Sequence, residues 1–144
     1  MVKTARSALK QIDFIRRDMS KKILVVDDDP TSLRTVEGLL TANGYFVKTS
    51  THAGDIEKRV REFNPHLIVM DLMMPDISGS QAVEKLQRNP VLSRIPVVFL
   101  TALKMKDEER GLEFEVSVES KTYRTLTKPF DAKALLVEVE GLLK

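Results

Sequence analysis

The sequence predicts an α/β fold: a doubly wound parallel sheet of five strands with helices on both faces. Three observations carry this. The apolar runs "ILVV", "LIVM" and "VVFL" are continuous rather than alternating, as in strands covered on both faces. Stretches with apolar residues at helical spacing lie between them. Each run ends on a polar residue, Asp27, Asp71 or Thr101, at the strand end where sheets of this kind open a crevice.

The elements follow in order. Ile23–Val26 is the first strand. Asp29–Pro30 reads as an N-cap and first-turn proline; Leu33, Val36, Leu39 and Leu40 form an apolar face, and Asn43–Gly44 ends the helix. Tyr45–Thr49 is the second strand. Ala53, Ile56, Val60 and Phe63 mark the second helix, stopped by Asn64–Pro65. Leu67–Met70 is the third strand, and Ala82, Val83 and Leu86 mark a helix ending near Asn89–Pro90. After Val97–Leu100, a fourth helix is expected from near Lys104. Thr122–Thr127 is the fifth strand. Asp131 caps a last helix with Leu135, Leu136, Val139, Leu142 and Leu143 inward. Right-handed crossovers follow from the β-α order.

With 144 residues the chain suits one domain. The absence of cysteine excludes disulfides and thiolate metal sites and suits a reducing cytosol. No apolar run approaches the roughly 20 residues of a membrane span, and the first residues are too charged for a secretory leader. Charge is uneven. Residues 1–22 carry seven Lys or Arg against two Asp, a balance of +5, which leaves −3 for the rest of a chain whose total is +2. Residues 1–20 are therefore expected to be a basic, helical N-terminal extension, with Ala5, Ala8, Ile12, Ile15 and Met19 at helical spacing, and residues 21–144 the domain proper.

The chemistry concentrates at the strand ends. Asp29 has a structural use as a cap, but Asp27 and Asp28 need another, and Asp71 would join them in one crevice. Three carboxylates repel one another unless a hard cation offsets them, and Mg²⁺ favours a few carboxylates plus waters. Lys128 projects from the fifth strand end as a counter-ion or a holder of a phosphoryl group. Thr101 offers a hydroxyl there.

These segments resemble the receiver domain of two-component response regulators, of the single-domain, chemotaxis type. "ILVVDDDP" resembles its acidic motif, "LIVMDLMMPDISG" its phosphoacceptor segment, and "PVVFLTA" and "TKPF" its Thr-Ala and Lys-Pro-Phe signatures, over about residues 21–144. The resemblance implies a flavodoxin-like fold. It implies Asp71 as the nucleophile that takes a phosphoryl group from a sensor histidine kinase. It implies Mg²⁺ held by Asp27, Asp28, Asp71 and the backbone carbonyl of Met73. Lys128 would offset phosphoryl charge, and Thr101 would move toward the phosphoryl group to trigger a switch. Such a protein is cytoplasmic, catalyses only its own phosphorylation and dephosphorylation, and acts through protein contacts, including a phosphorylation-dependent dimer. With no DNA-binding segment after the domain, direct DNA binding is not expected. The output is either a partner protein or a histidine phosphotransfer domain to which the phosphoryl group is passed.

Two departures from that family stand out. Thr125 occupies the position where an aromatic switch residue is usual, with Tyr123 two residues away on the same strand face. And "GLEFEVSVESKTYRTLTKP" replaces a shorter connection; the alternation of Phe114, Val116 and Val118 predicts a small hairpin turning near Glu119–Lys121 after a shortened fourth helix, with a merely longer loop as the alternative. A remote alternative rests on "DDDPT", which also fits the D-x-D-x-T motif of haloacid-dehalogenase-like phosphatases, with Asp27 as nucleophile and Asp29 as acid/base. That reading leaves the Asp71 segment unexplained. His52 and His66 look structural.

Overall fold

Each short apolar run becomes a strand because it can bury both faces only inside a sheet, and the intervening helices supply the cover. In the computed structural model, which describes residues 8–11, 20–102 and 113–144, the order is β1 (Lys22–Val26), α1 (Pro30–Ala42), β2 (Phe46–Ser50), α2 (Ile56–Phe63), β3 (Leu67–Asp71), α3 (Gly79–Gln87), β4 (Val97–Thr101), β5 (Glu113–Val118), β6 (Lys121–Thr127) and α4 (Ala132–Leu142). A 3₁₀ turn, Leu92–Arg94, precedes β4. Residues 8–11 are helical. The rest of the predicted leader helix and the predicted helix from Lys104 lie outside the described residues.

The sheet runs β2-β1-β3-β4-β6-β5. All pairs are parallel except β5–β6, which is antiparallel. The expected five-stranded parallel sheet is thus present, but with a sixth strand added at its edge. That strand is the predicted hairpin arm. Val118 pairs with Lys121 across a turn at Glu119–Ser120, within the expected interval. Six residue pairs in unbroken register reward the extra strand. Glu119 pays for the turn with φ 56°, a left-handed conformation that disfavours a glutamate.

Caps place the helices. The Asp29 carboxylate accepts from the Thr31 amide at 3.1 Å, with Pro30 opening α1. Beyond α1, Gly44 takes φ 90°. Asn64 closes α2 in the left-handed region. Ser78 and Gln81 form a reciprocal capping box at α3, and Asp131 caps α4 through the Lys133 amide at 3.1 Å.

Two apolar layers hold the sheet. One joins Leu33, Val36 and Leu40 of α1 and Leu135 and Val139 of α4 to Ile23, Val25, Val69 and Leu100. The other joins α2 and α3, through Ile56, Val60, Phe63, Val83 and Leu86, to Met70, Phe99, Val118 and Tyr123. Leu142, expected inward, is instead exposed as the last residue of α4, while Leu143 beside it packs against the core. His66 is structural, its Nδ1 accepting from the Lys22 amide at 2.9 Å.

Candidate functional site

Register brings the acids together. β1 and β3 are neighbours, with Val26 opposite Met70, so Asp27 and Asp71 emerge side by side where the two strands end. The sheet order also reverses here: β1 connects outward to β2 and β3 connects the other way to β4, which leaves a crevice between the connecting loops. Carboxylate oxygens of Asp27, Asp28 and Asp71 lie within 4.8 Å of one another. Asp27 is 2% exposed and Asp71 5%, whereas Asp28 faces solvent.

Lys128 closes the group from the far side of the sheet. Its ammonium donates to Asp27 Oδ2 at 2.6 Å and to Asp71 Oδ2 at 3.3 Å. Its own amide donates to the Thr101 carbonyl at 2.7 Å, which anchors the loop after β6 to the end of β4. Burial works against the Lys128 ammonium, but the Asp27 hydrogen bond and the two carboxylate charges outweigh it and hold its pKa above the usual lysine value. For Asp71 burial is the largest influence and raises its pKa to about 6; the Met73 amide and the Lys128 charge pull the other way, and Asp27 adds to the rise. One ammonium among three carboxylates leaves the crevice acidic.

The remaining oxygens are oriented by backbone. The Met73 amide donates to Asp71 Oδ1, and the Asp29 amide to Asp27 Oδ1, both at 3.0 Å. That leaves Asp29 out of the cluster, its own carboxylate spent on α1. Thr101 is fully buried at the end of β4, paired in register with Thr127. All the residues singled out from the sequence (Asp27, Asp28, Asp71, Met73, Thr101 and Lys128) thus sit at the carboxyl end of the sheet, and Asp27, Asp28, Asp71 and Lys128 meet there.

Three further residues shape the site. Gly79 starts α3 against the Asp71 strand end: a Cβ there would lie 2.4 Å from the Asp71 carbonyl oxygen and 3.0 Å from Leu72 Cα, so only glycine lets α3 begin here. The Asp76 carboxylate accepts from the amides of Ala53 and Gly54 at 3.1 and 2.6 Å, tying the loop after Asp71 to the loop after β2. Gln87, on α3, reaches the hairpin: its amide donates to the Tyr123 hydroxyl at 2.7 Å and to the Val118 carbonyl at 3.1 Å. Gly79 and Asp76 fall within the quoted "MMPDISG" segment, but Gln87 carries no sequence signal.

Thr125, at the position where the resemblance leads one to expect an aromatic ring, is fully buried. The ring on the same strand face is Tyr123, edge-on to Phe99 with centroids 5.6 Å apart. Phe99 in turn lies two residues before Thr101.

Comparison with known proteins points one way. The sequence profile described as response regulator receiver domain matches residues 23–140. Protein PilH of Pseudomonas aeruginosa is 32% identical over 122 residues, covering 85% of this chain and 97% of that protein. Response regulator PleD of Caulobacter vibrioides is 36% identical over 127 residues, covering 88% of this chain but 27% of that longer protein. The receiver domain of a Pseudomonas aeruginosa sensor histidine kinase, solved with a magnesium ion coordinated in its active site cleft, shares the fold, with a TM-score of 0.72 at 22% identity over 86% of this chain and 98% of that one.

Proposed function

Since the chain belongs to the response regulator receiver domain family, a family of signalling domains in two-component systems, we propose that it takes a phosphoryl group from a sensor histidine kinase onto Asp71. The observation that carries the reading is the cluster itself: three carboxylates within 4.8 Å, two of them buried and bridged by Lys128. Buried charges contribute poorly to stability, so a cluster of this kind is retained for what it does.

The donor set fits a hard divalent cation, because every side-chain ligand is an oxygen and one carboxylate, Asp28, stays open to water. Asp27, Asp28, Asp71 and the Met73 carbonyl would hold Mg²⁺, which supplies positive charge to offset that of the transferring phosphoryl group. A carboxylate oxygen of Asp71 attacks the phosphorus of the phosphohistidine. The P–N bond breaks, the electron pair stays on the imidazole, and an acyl phosphate forms. Lys128, already between Asp27 and Asp71, turns toward a phosphoryl oxygen. The buried Thr101 hydroxyl moves to another, and the strand end it shares with Lys128 shifts with it. Water attack on the acyl phosphate resets the domain.

The output assigned to the switched domain is a contact with a partner protein, with a histidine phosphotransfer domain as the alternative recipient of the phosphoryl group. Residues 1–20 are assigned to a basic extension and residues 21–144 to the receiver, in keeping with a family match that begins at residue 23.

Incubation with acetyl phosphate and Mg²⁺, followed by mass spectrometric location of the adduct, tests the assignment. One phosphoryl group on Asp71, absent from Asp71→Asn and suppressed by chelation, supports it. A phosphoryl group on Asp27 would instead make the chain a phosphatase-type enzyme, against which stands the use of the Asp29 carboxylate as a helix cap.

A further inference from the structure

At the end of the sheet opposite the carboxylates, a cleft of 240 Å³ opens between the start of β4, the start of β6 and the end of α4. Its walls are of two kinds. Arg94, Lys121 and Arg124 bring three positive charges, and Ile95, Pro96 and Leu142 bring apolar surface. One of the cations has a structural use: Arg124 is paired with Glu138, its Nη2 donating at 3.0 Å. Lys121 donates to a neutral carbonyl, that of Ser93, at 2.8 Å. Arg94 is exposed, and among the described residues it has no ion pair or hydrogen bond through its side chain. Lys121 and Arg94 thus bring two positive charges to one cleft with no carboxylate paired to either among the described residues.

Like charges gathered beside apolar surface destabilise the free protein slightly and become favourable when an anion arrives. The cleft is smaller than the roughly 300–1,000 Å³ of a typical small-molecule site, and it suits one or two side chains. Leu142, exposed here against the expectation from the sequence, gives an apolar neighbour to the charges. We propose that this cleft is a docking site for an acidic segment of a partner protein. A carboxylate of that segment sits between Arg94 and Lys121, and an adjacent apolar side chain lies on Ile95, Pro96 and Leu142. The surface includes the first residues of β6, so it lies on the hairpin, at the end of the sheet away from the carboxylates.

The test is an NMR titration of the ¹⁵N-labelled full chain with a capped pentapeptide alternating glutamate and leucine, at low salt. Amide shifts should concentrate in residues 94–97, 121–124 and 142. Arg94→Glu should weaken binding about tenfold, and Arg94→Gln by less. Both variants should accept a phosphoryl group as the unaltered chain does, which shows them folded. A glutamine–leucine peptide should fail to shift these amides, and a glutamate–alanine peptide should bind more weakly than the leucine form. Equal binding by the glutamine peptide or by Arg94→Glu, or shifts elsewhere, would overturn the proposal. So would inorganic phosphate or polyuridylate shifting the same amides as strongly as the peptide does, since the cleft would then be a general anion site or a nucleic-acid contact.

Discussion

The carboxylate end of the sheet and its hairpin edge are built on opposite terms. At the first, Asp27 and Asp71 are buried beside each other, and among the described residues Lys128 is the one cation in direct contact to offset them. Burial on that scale costs stability. At the second, Tyr123 packs on Phe99, its hydroxyl is satisfied by Gln87, and Val118 closes the apolar layer, all of which add stability. The difference teaches that the first region is held in place by what it does and the second by what it packs against. Substitutions in the two should therefore move activity and stability in different directions.

The largest effect is expected at Asp71. Asp71→Asn should reduce phosphoryl uptake to background while raising the thermal midpoint in the presence of a chelator, because it removes a buried carboxylate and keeps its shape. A fall in midpoint would break the comparison. Tyr123→Ala should do the reverse, costing about 3 kcal/mol in urea unfolding, as truncation of a buried ring does, with uptake kept at temperatures where the variant is folded. Tyr123→Phe, which removes only the hydroxyl that accepts from Gln87, should cost about 1 kcal/mol.

Gly79 is where the two terms meet, since a Cβ would strike the backbone of Asp71, the proposed phosphoacceptor. Gly79→Ala should lower stability by about 1–3 kcal/mol and slow uptake as well; loss of one without the other would mean that α3 can shift without moving Asp71. The smallest effect belongs to the hairpin turn. Glu119→Asn should stabilise by about 0.5–1 kcal/mol, because asparagine tolerates the left-handed backbone that Glu119 adopts. No gain in a denaturation series would mean that the turn relaxes in solution.

The same division explains what the sequence made legible. β1, β3 and β4 were readable because a continuous apolar run has few other uses, and the strand-end acids were readable because carboxylates are anomalous after such runs. The "EFEVSV" alternation announced a strand, and its turn fell where expected. The hairpin turn named β6 as its partner, but its edge position depended on β6 pairing with β4, which alternation does not encode. Gln87 was invisible, since a glutamine on a helix signals nothing until a tyrosine hydroxyl lies 2.7 Å away. Leu142 was misplaced because helical spacing assigns a broad face without saying which residue at the helix end is covered. Arg94, Lys121 and Arg124 are far apart or differently placed in sequence, and only the fold puts them around one cleft.

We infer that phosphoryl chemistry at Asp71 is read out at the hairpin edge, through Thr101 and the Phe99–Tyr123–Gln87 contacts in place of an aromatic residue at position 125. Hydrogen exchange with and without a beryllofluoride mimic of the phosphoryl group, in the presence of Mg²⁺, measures it most directly. Protection should change more across residues 113–127 than in α1, α2 or β2, and Tyr123→Phe should diminish that change while leaving the changes near Asp28 and Asp71 in place. Changes confined to the loops around Asp28 and Asp71 would contradict the claim. The chain would then be better described as a carrier that passes its phosphoryl group to a histidine phosphotransfer domain.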